Sequence, residues 1–159
     1  MRSKLDMLKT VSIFEQTPEH ILDMISLLLE EVEMPAGETV FEKGEPGDSL
    51  YMIVDGKVRV HDEGRTLNYL ETGDVFGEMA LLDPQPRSAS VVAEQDTRLL
   101  YLNQEHFTQL LLKRGEVGLG IMRVLTAHLR ARERDLTEAL SKAEDLEQAW
   151  VAQRLASFL

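Results

Sequence analysis

Residues 76–90 read FGEMALLDPQPRSAS and combine a glycine, a carboxylate, a short apolar run and a single cation, Arg87. Gly77 allows a ligand to approach the backbone closely. The residues that follow it, from Glu78 onward, favour a short helix whose free N–H groups can face an anion. A guanidinium and backbone N–H donors suit a permanently charged phosphodiester better than a titratable acid or base does. The stretch therefore indicates a site for a small phosphate-bearing ligand.

The sequence around this stretch has the texture of short β-strands separated by glycine turns. Apolar and polar side chains alternate over residues 57–61, as in a half-exposed strand. Residues 50–54, LYMIV, are apolar enough to form a strand that is buried on both faces. Asp55-Gly56 between these two strands predicts a hairpin turn. We therefore predict a mainly β fold, a jelly-roll-like β-roll, over residues 35–102.

A helical segment is predicted before the β-rich region, over residues 1–34. Thr17 reads as an N-cap and Pro18 as the first helical position, which are common residue choices for a helix start. Apolar residues then recur at helical spacing as far as Val32, and Met34 precedes a proline. The spacing therefore predicts a helix that ends near Met34.

Two further helices are predicted after the β-rich region. Asn103 can cap a short helix over residues 103–114. Residues 115–159 contain no proline and have glycines only near their start, which favours one long helix with a flexible entry. We expect this entry to act as a hinge, formed by Gly115, Gly118 and Gly120.

The long helix carries a heptad pattern that favours a coiled coil. Eight of the ten residues at the two seam positions are apolar. An extended seam beyond a small domain needs a partner to cover it, so we expect a homodimer. The alternative is a single helix that packs on its own domain. The seam positions are Met122, Leu125, Leu129, Arg132, Leu136, Ala139, Ala143, Leu146, Trp150 and Gln153.

Residues 76–90, called the cassette below, and the predicted strands before them resemble a known family. F-G-E-M-A-L-L followed by P-R-S-A is similar to the phosphate-binding cassette of cyclic-nucleotide-binding domains. These domains occur in bacterial catabolite-activator-type proteins, protein kinase A regulatory subunits and cyclic-nucleotide-gated channels. Residues 35–58, PAGETVFEKGEPGDSLYMIVDGKV, look like the opening of the family's β-roll. The resemblance covers about residues 8–135.

The resemblance implies a role for individual residues of the cassette. Arg87 is expected to grip the cyclic phosphate, and Glu78 to bind the ribose 2′-hydroxyl. Backbone contacts or lining of the phosphate end are implied for Gly77, Met79, Ala80, Ser88 and Ala89. The alternative is that Glu78 and Arg87 form an ion pair that only staples a loop.

Recognition of the purine is assigned less directly by the resemblance. In the family a residue of the C-terminal helix caps the base, and an ungapped alignment from Arg87 places that position at Arg132, with Glu133 beside it. Arg132 also interrupts an apolar seam, and an interior cation of that kind usually has a partner. The alternative is a solvated arginine within a local run of charges.

The resemblance implies a non-enzymatic sensor that transmits ligand binding through its C-terminal helix to an effector that the sequence does not identify. Ser88 after Arg87 resembles the cAMP-binding pattern of bacterial members, although a serine there also suits cGMP. Two alternatives remain for the chain. It is the sensory piece of a larger multidomain protein, or it is a degenerate module that no longer binds a nucleotide.

Composition argues against several other classes of protein. The net charge of -11 is unfavourable for direct binding to duplex DNA, because non-specific affinity needs clustered cations. With no cysteine and no paired histidines, we expect no metal site, and no nucleophile motif suggests an enzyme. No apolar run spans a membrane and the first residues lack the core of a signal peptide, so we expect a cytoplasmic protein. The histidines are His20, His61, His106 and His128.

Overall fold

A computed structural model describes residues 3–158. In this part of the chain, eight strands form two antiparallel sheets, with the orders β1-β8-β3-β6 and β2-β7-β4-β5. The strands are β1 Glu30–Met34, β2 Thr39–Phe41, β3 Ser49–Asp55, β4 Lys57–Asp62, β5 Arg65–Glu71, β6 Val75–Phe76, β7 Ser90–Ala93 and β8 Thr97–Asn103. The helices are α1 Lys4–Lys9, α2 Glu19–Ser26, α3 Gln104–Lys113 and α4 Gly115–Ala156, with 3₁₀ turns at Ser12–Phe14 and Glu78–Leu81.

The core lies between the two sheets. Ile53 and Leu99 from the first sheet pack with Val58 and Val91 from the second, and all four side chains are buried. Burying an aliphatic side chain of this size contributes about 1.5–3 kcal/mol. Along β3, Leu50 also points away from solvent on the opposite face from Ile53, since successive side chains alternate in a strand. The predicted strand that is buried on both faces is therefore confirmed.

The start of α2 differs by one position from the sequence prediction. The helix begins at Glu19, and Pro18 is its N-cap residue, with the Pro18 carbonyl accepting from the N–H groups of Ile21 and Leu22. The Thr17 side chain makes no cap hydrogen bond, and its buried hydroxyl oxygen has no partner within the described residues. The prediction that Thr17 caps this helix is wrong.

The predicted continuation of this helix to Met34 is also wrong. The helix ends at Ser26, and Glu30–Met34 forms β1, in which Val32 pairs with Leu99 of β8. In β1 the half-buried Val32 and Met34 alternate with exposed glutamates. Val32 lies at helical spacing from the apolar residues of α2, but the alternation in β1 is the period-2 pattern of a strand, and it is the pattern the chain follows.

The Asp55-Gly56 turn does not form the predicted hairpin. It joins β3 to β4, and these strands lie in different sheets, so the turn carries the chain across the core. Gly56 has a φ of +128°, and a Cβ there would lie 2.4 Å from the Thr97 hydroxyl oxygen. A true two-residue hairpin follows instead at Glu63-Gly64, where both residues have positive φ and β4 turns into β5.

The two C-terminal helices lie where the sequence predicted them. The Asn103 side chain accepts from the His106 N–H at 2.9 Å, which confirms the predicted cap of α3. The three glycines Gly115, Gly118 and Gly120 lie within the first turns of the regular helix α4. The chain divides into two compact units, one ending at Ile121 and one beginning at Met122. No helix in residues 3–158 is long and apolar enough to cross a bilayer.

Candidate functional site

Gly77 opens the cassette in a conformation that few other residues adopt. Its φ is +75°, and it caps the 3₁₀ turn Glu78–Leu81 that the sequence predicted as a short helix. A Cβ at this position would lie 2.7 Å from Nη1 of Arg87 and 2.9 Å from the Ser49 carbonyl oxygen. Glycine is therefore needed here both for the left-handed backbone and for the space that the guanidinium occupies.

Arg87 is nearly enclosed, with 8% of its surface exposed. Its Nη2 donates to the Ser49 carbonyl oxygen at 2.9 Å, and its guanidinium carbon lies 4.1 Å from the centroid of the Phe41 ring. Its Nε is buried and has no hydrogen-bond partner among the described residues. A Cβ at Gly47 would lie 2.9 Å from this Nε. Two glycines thus leave room for the guanidinium and its unpaired donor.

The electrostatics of Arg87 point to an anionic ligand. Within residues 3–158 the guanidinium forms no ion pair with an acidic side chain. Burial lowers the pKa of Arg87, although the nearby Tyr51, Asp48 and Glu45 act in the opposite direction. An arginine stays charged even so. A buried charge without a partner is unfavourable, so a bound anion would stabilise this site.

The backbone around Arg87 fixes where the guanidinium lies. The Arg87 N–H donates to the Glu45 carbonyl at 2.8 Å, and the Arg87 carbonyl accepts from the Gly44 N–H at the same distance. The Gly47 N–H donates to the Gln85 carbonyl at 3.2 Å. The loop between β2 and β3 is thereby bonded to the end of the cassette and places Arg87 against the start of β3.

Sequence reasoning missed an aromatic cluster beside Arg87. Tyr51 and Phe76 are stacked with centroids 5.2 Å apart, and Phe41 lies 5.9 Å from Tyr51 and 6.0 Å from Phe76. The three rings come from β2, β3 and β6. Burial raises the pKa of Tyr51, although the charge of Arg87 opposes this. The signal that could have identified this cluster is the set of aromatic residues on strands next to the loop that carries Arg87.

Glu78 is held by the N-terminal segment rather than by Arg87. The Ser12 hydroxyl donates to its carboxylate, with Oγ 3.3 Å from Oε1 and 3.2 Å from Oε2. Glu78 and Arg87 form no ion pair with each other in the part of the chain that the structure describes. The alternative in which these two residues only staple a loop is therefore wrong. Ser12 is a second residue that sequence reasoning missed.

The other predicted site residues of the cassette differ in burial. Ala80 is buried, and its N–H donates to the Gly77 carbonyl at 3.2 Å, so this N–H is already engaged within the turn. Met79 and Ser88 are exposed, and Ala89 is half-buried. The first N–H groups of the turn have no partner within it, which leaves donors that can face a ligand.

The two residues predicted for base recognition belong to the second unit. Arg132 and Glu133 are exposed side chains of α4. Their part in binding a purine stays a prediction, as does the alternative of a solvated charge run. Among residues 3–158, no group of three histidine, aspartate or glutamate side chains is arranged to hold a metal ion.

Comparisons with known proteins agree on one family. The model of the cyclic nucleotide-binding domain matches residues 31–114. The chain is 30% identical over 140 residues to the CRP-like cAMP-activated global transcriptional regulator of Mycobacterium tuberculosis, which covers 85% of this chain and 62% of the regulator. It is 42% identical over 86 residues to the cAMP-dependent protein kinase regulatory subunit of Aspergillus fumigatus, which covers 52% of this chain and 21% of that subunit.

A solved structure supports the same conclusion for the fold. The N-terminal domain of a transcriptional regulator from Streptomyces coelicolor A3(2) matches with a TM-score of 0.74 at 28% identity, over 80% of this chain and 92% of that one. The predicted β-roll with N-terminal helices and a long C-terminal helix is thereby confirmed. The chain spans 62% of the length of the mycobacterial regulator and 21% of that of the fungal subunit.

Proposed function

This chain belongs to the cyclic nucleotide-binding domain family, whose model matches residues 31–114, and from that premise we propose that it binds cAMP through Arg87, Glu78 and the turn between them. The observation that carries the proposal is the state of Arg87, a buried cation with an unpartnered Nε and no acidic partner among the described residues. A cyclic phosphate supplies the single negative charge that this environment lacks.

The phosphate and the ribose of the nucleotide each have a partner of the right kind in the first unit. The phosphate oxygens accept from the Arg87 guanidinium and from free N–H groups at the start of the turn after Gly77. The carboxylate of Glu78 accepts from the ribose 2′-hydroxyl and keeps lone pairs free for it. The Ser88 hydroxyl is exposed at the phosphate end and can donate to the same oxygens.

The test is a calorimetric titration of the wild type and of Arg87→Ala with cAMP and with cGMP. We expect Arg87→Ala to abolish detectable binding, because charge-assisted hydrogen bonds are worth about 1.5–3 kcal/mol each. We expect the fold to survive, since the substitution removes a buried charge that has no ion pair. Arg59→Ala is the matched control, because Arg59 lies in β4, outside the cassette, and forms an ion pair with Glu94 directly after β7.

The same titration separates the proposal from its alternatives. A chain that binds neither nucleotide, and whose melting temperature does not rise with either, is a degenerate module. If cGMP binds more tightly than cAMP, the proposal of a nucleotide site still holds but the proposed preference for cAMP is wrong. That preference is supported by Ser88 and by the names of the mycobacterial and fungal relatives, both of which include cAMP.

Signal output is proposed to run through α4 of a homodimer. Several apolar residues of the predicted seam are exposed, among them Leu129, Leu136 and Leu146, and burying such a surface favours association. A Cβ at Gly120 would lie 3.4 Å from the Gln16 carbonyl oxygen, which is an ordinary van der Waals distance, so packing does not require a glycine there. Ligand binding shifts the helix only by its differential affinity for two states.

The sequence does not identify the effector, and the length of the full protein is open to two proposals. The chain covers 62% of the length of the mycobacterial regulator, so a role as the sensory piece of a larger protein stays open beside a stand-alone sensor. We expect no enzymatic activity, since the mycobacterial and fungal relatives are named as a regulator and a regulatory subunit. We expect no direct DNA binding by these residues, because their net charge is -11.

A further inference from the structure

The hydrogen bond between Ser12 and Glu78 connects two parts of the chain that are 66 residues apart. We infer that Ser12 is a positioning residue for ribose recognition, in that its hydroxyl holds the Glu78 carboxylate in the orientation that accepts from the 2′-hydroxyl. The inference rests on the proposed function. It makes the N-terminal 3₁₀ turn a part of the sugar site rather than only a packing element.

Glu78 depends on this contact for its orientation. Among the hydrogen bonds of residues 3–158, its carboxylate accepts from the side chain of Ser12 alone. A glutamate side chain that is ordered loses rotamer freedom, so an unrestrained Glu78 would spend part of its time away from the ligand. The Ser12 hydroxyl oxygen lies at nearly equal distances, 3.3 and 3.2 Å, from the two carboxylate oxygens, so its one hydrogen is shared between them and keeps the group near Ser12.

The contact leaves Glu78 able to bind a ligand. An ionised carboxylate offers about four lone-pair sites, and one serine hydroxyl occupies no more than part of them. A ribose hydroxyl can therefore donate to the same group while Ser12 remains in place. This capacity favours positioning over competition, in which the ribose would have to displace Ser12.

Ser12 itself is held in place by the hydrophobic core. Its neighbours Val11, Ile13 and Phe14 are each 1% exposed, and the Phe14 ring lies 5.7 Å from that of Phe107 in α3. The Ser12 carbonyl also accepts from the Glu15 N–H at 3.2 Å. The hydroxyl is thus a fixed donor, set by packing on both sides of it, rather than a mobile surface group.

The experiment measures binding of cAMP and of 2′-deoxy-cAMP to the wild type, Ser12→Ala and Ser12→Thr. We expect Ser12→Ala to weaken cAMP binding about fivefold, which is the size of one hydrogen bond, and to change the affinity for 2′-deoxy-cAMP less than about twofold. Ser12→Thr retains the hydroxyl and should restore cAMP affinity toward that of the wild type. Ser26→Ala is the matched control, because Ser26 donates to the Asp23 carbonyl at the end of α2.

The two ligands distinguish positioning from other roles of Ser12. An equal loss of affinity for both nucleotides in Ser12→Ala would show a general structural role and overturn the inference. Tighter cAMP binding would show that Ser12 competes with the ribose, and unchanged binding would show that the contact does not matter; either result also overturns it. A wild type that binds neither nucleotide would overturn the proposed function itself, and the inference with it.

Discussion

The cassette and the long helix α4 differ in how their predicted functional side chains are held. Arg87 is 8% exposed and fixed by a carbonyl, an aromatic ring and two glycines. Arg132 on α4 is exposed, and so are the apolar residues of the seam around it. The proposed phosphate site is therefore packed within the fold, whereas the proposed output surface on α4 is exposed and would be buried only by a partner.

Among substitutions that retain Arg87, Gly77→Ala is expected to give the largest effect on the packed site. The added Cβ would meet the Arg87 guanidinium at 2.7 Å, in a backbone conformation that alanine rarely adopts. Displacing the guanidinium should weaken cAMP binding about 100-fold, the equivalent of one or two charge-assisted hydrogen bonds. Titration calorimetry measures the change.

Gly64→Ala is the control for backbone strain. Gly64 has a φ of +79°, and a Cβ there would meet nothing within 4 Å. It should lower stability by about 1 kcal/mol, the usual effect of left-handed strain, and leave cAMP binding unchanged. Equal binding by the two variants would contradict the account of Gly77.

Leu136→Asp tests the exposed apolar seam of α4. The Leu136 side chain is 61% exposed and lies on the predicted seam. A charge buried in a coiled coil is unfavourable, so the dissociation constant of the dimer should rise at least about tenfold. Sedimentation velocity over a range of concentrations measures it. Thr137→Asp, one position off the seam, should leave the dimer intact. A wild type that stays monomeric would remove the dimer from the proposal.

Phe41→Leu examines whether the aromatic ring contributes to the packed site. The ring lies 4.1 Å from the Arg87 guanidinium carbon, a distance at which a cation–π contact is worth about 0.5–2 kcal/mol. We expect cAMP affinity to fall about fivefold, with a smaller fall for Phe41→Tyr, which keeps a ring. Identical losses for the leucine and tyrosine variants would indicate that packing volume, and not the ring, is what matters.

Arg132→Ala is expected to give the smallest effect and a different kind of effect. An exposed arginine that stacks on a base contributes about 0.5–1 kcal/mol, so the ratio of cAMP to cGMP affinity should change by about threefold. Glu133→Ala provides the neighbouring comparison on the same helix. Equal changes for the two nucleotides would exclude Arg132 from base recognition and leave it as part of a solvated charge run.

The sequence was sufficient where local chemistry decides the structure. The turn at Gly77, the cap at Asn103 and the buried strand over residues 50–54 depend on neighbours along the chain, and each was predicted. The resemblance added the fold class, because it rests on the joint spacing of many residues. Local residue patterns predict the turns and caps, and the joint spacing of many residues predicts the family.

The sequence was insufficient where distant parts of the chain meet. Asp55-Gly56 has the composition of a hairpin turn, but composition does not say whether the next strand joins the same sheet. Val32 satisfies both the helical spacing of α2 and the period-2 alternation of β1, and its pairing with Leu99 decides between them. Ser12 and Phe41 carry no motif of their own, and only the fold brings Ser12 into a hydrogen bond with Glu78 and Phe41 against Arg87.

On the proposed function, the unpartnered charge of Arg87 would also link the lifetime of the protein to its ligand. A ligand that binds only the folded state stabilises it by mass action, by about 2.7 kcal/mol when its free concentration is 100 times the dissociation constant. Because proteases act on opened molecules, the ligand-free protein should be degraded faster. On the proposed function, a fall in cyclic nucleotide would therefore lower both the occupancy of the sensor and its abundance in the cell.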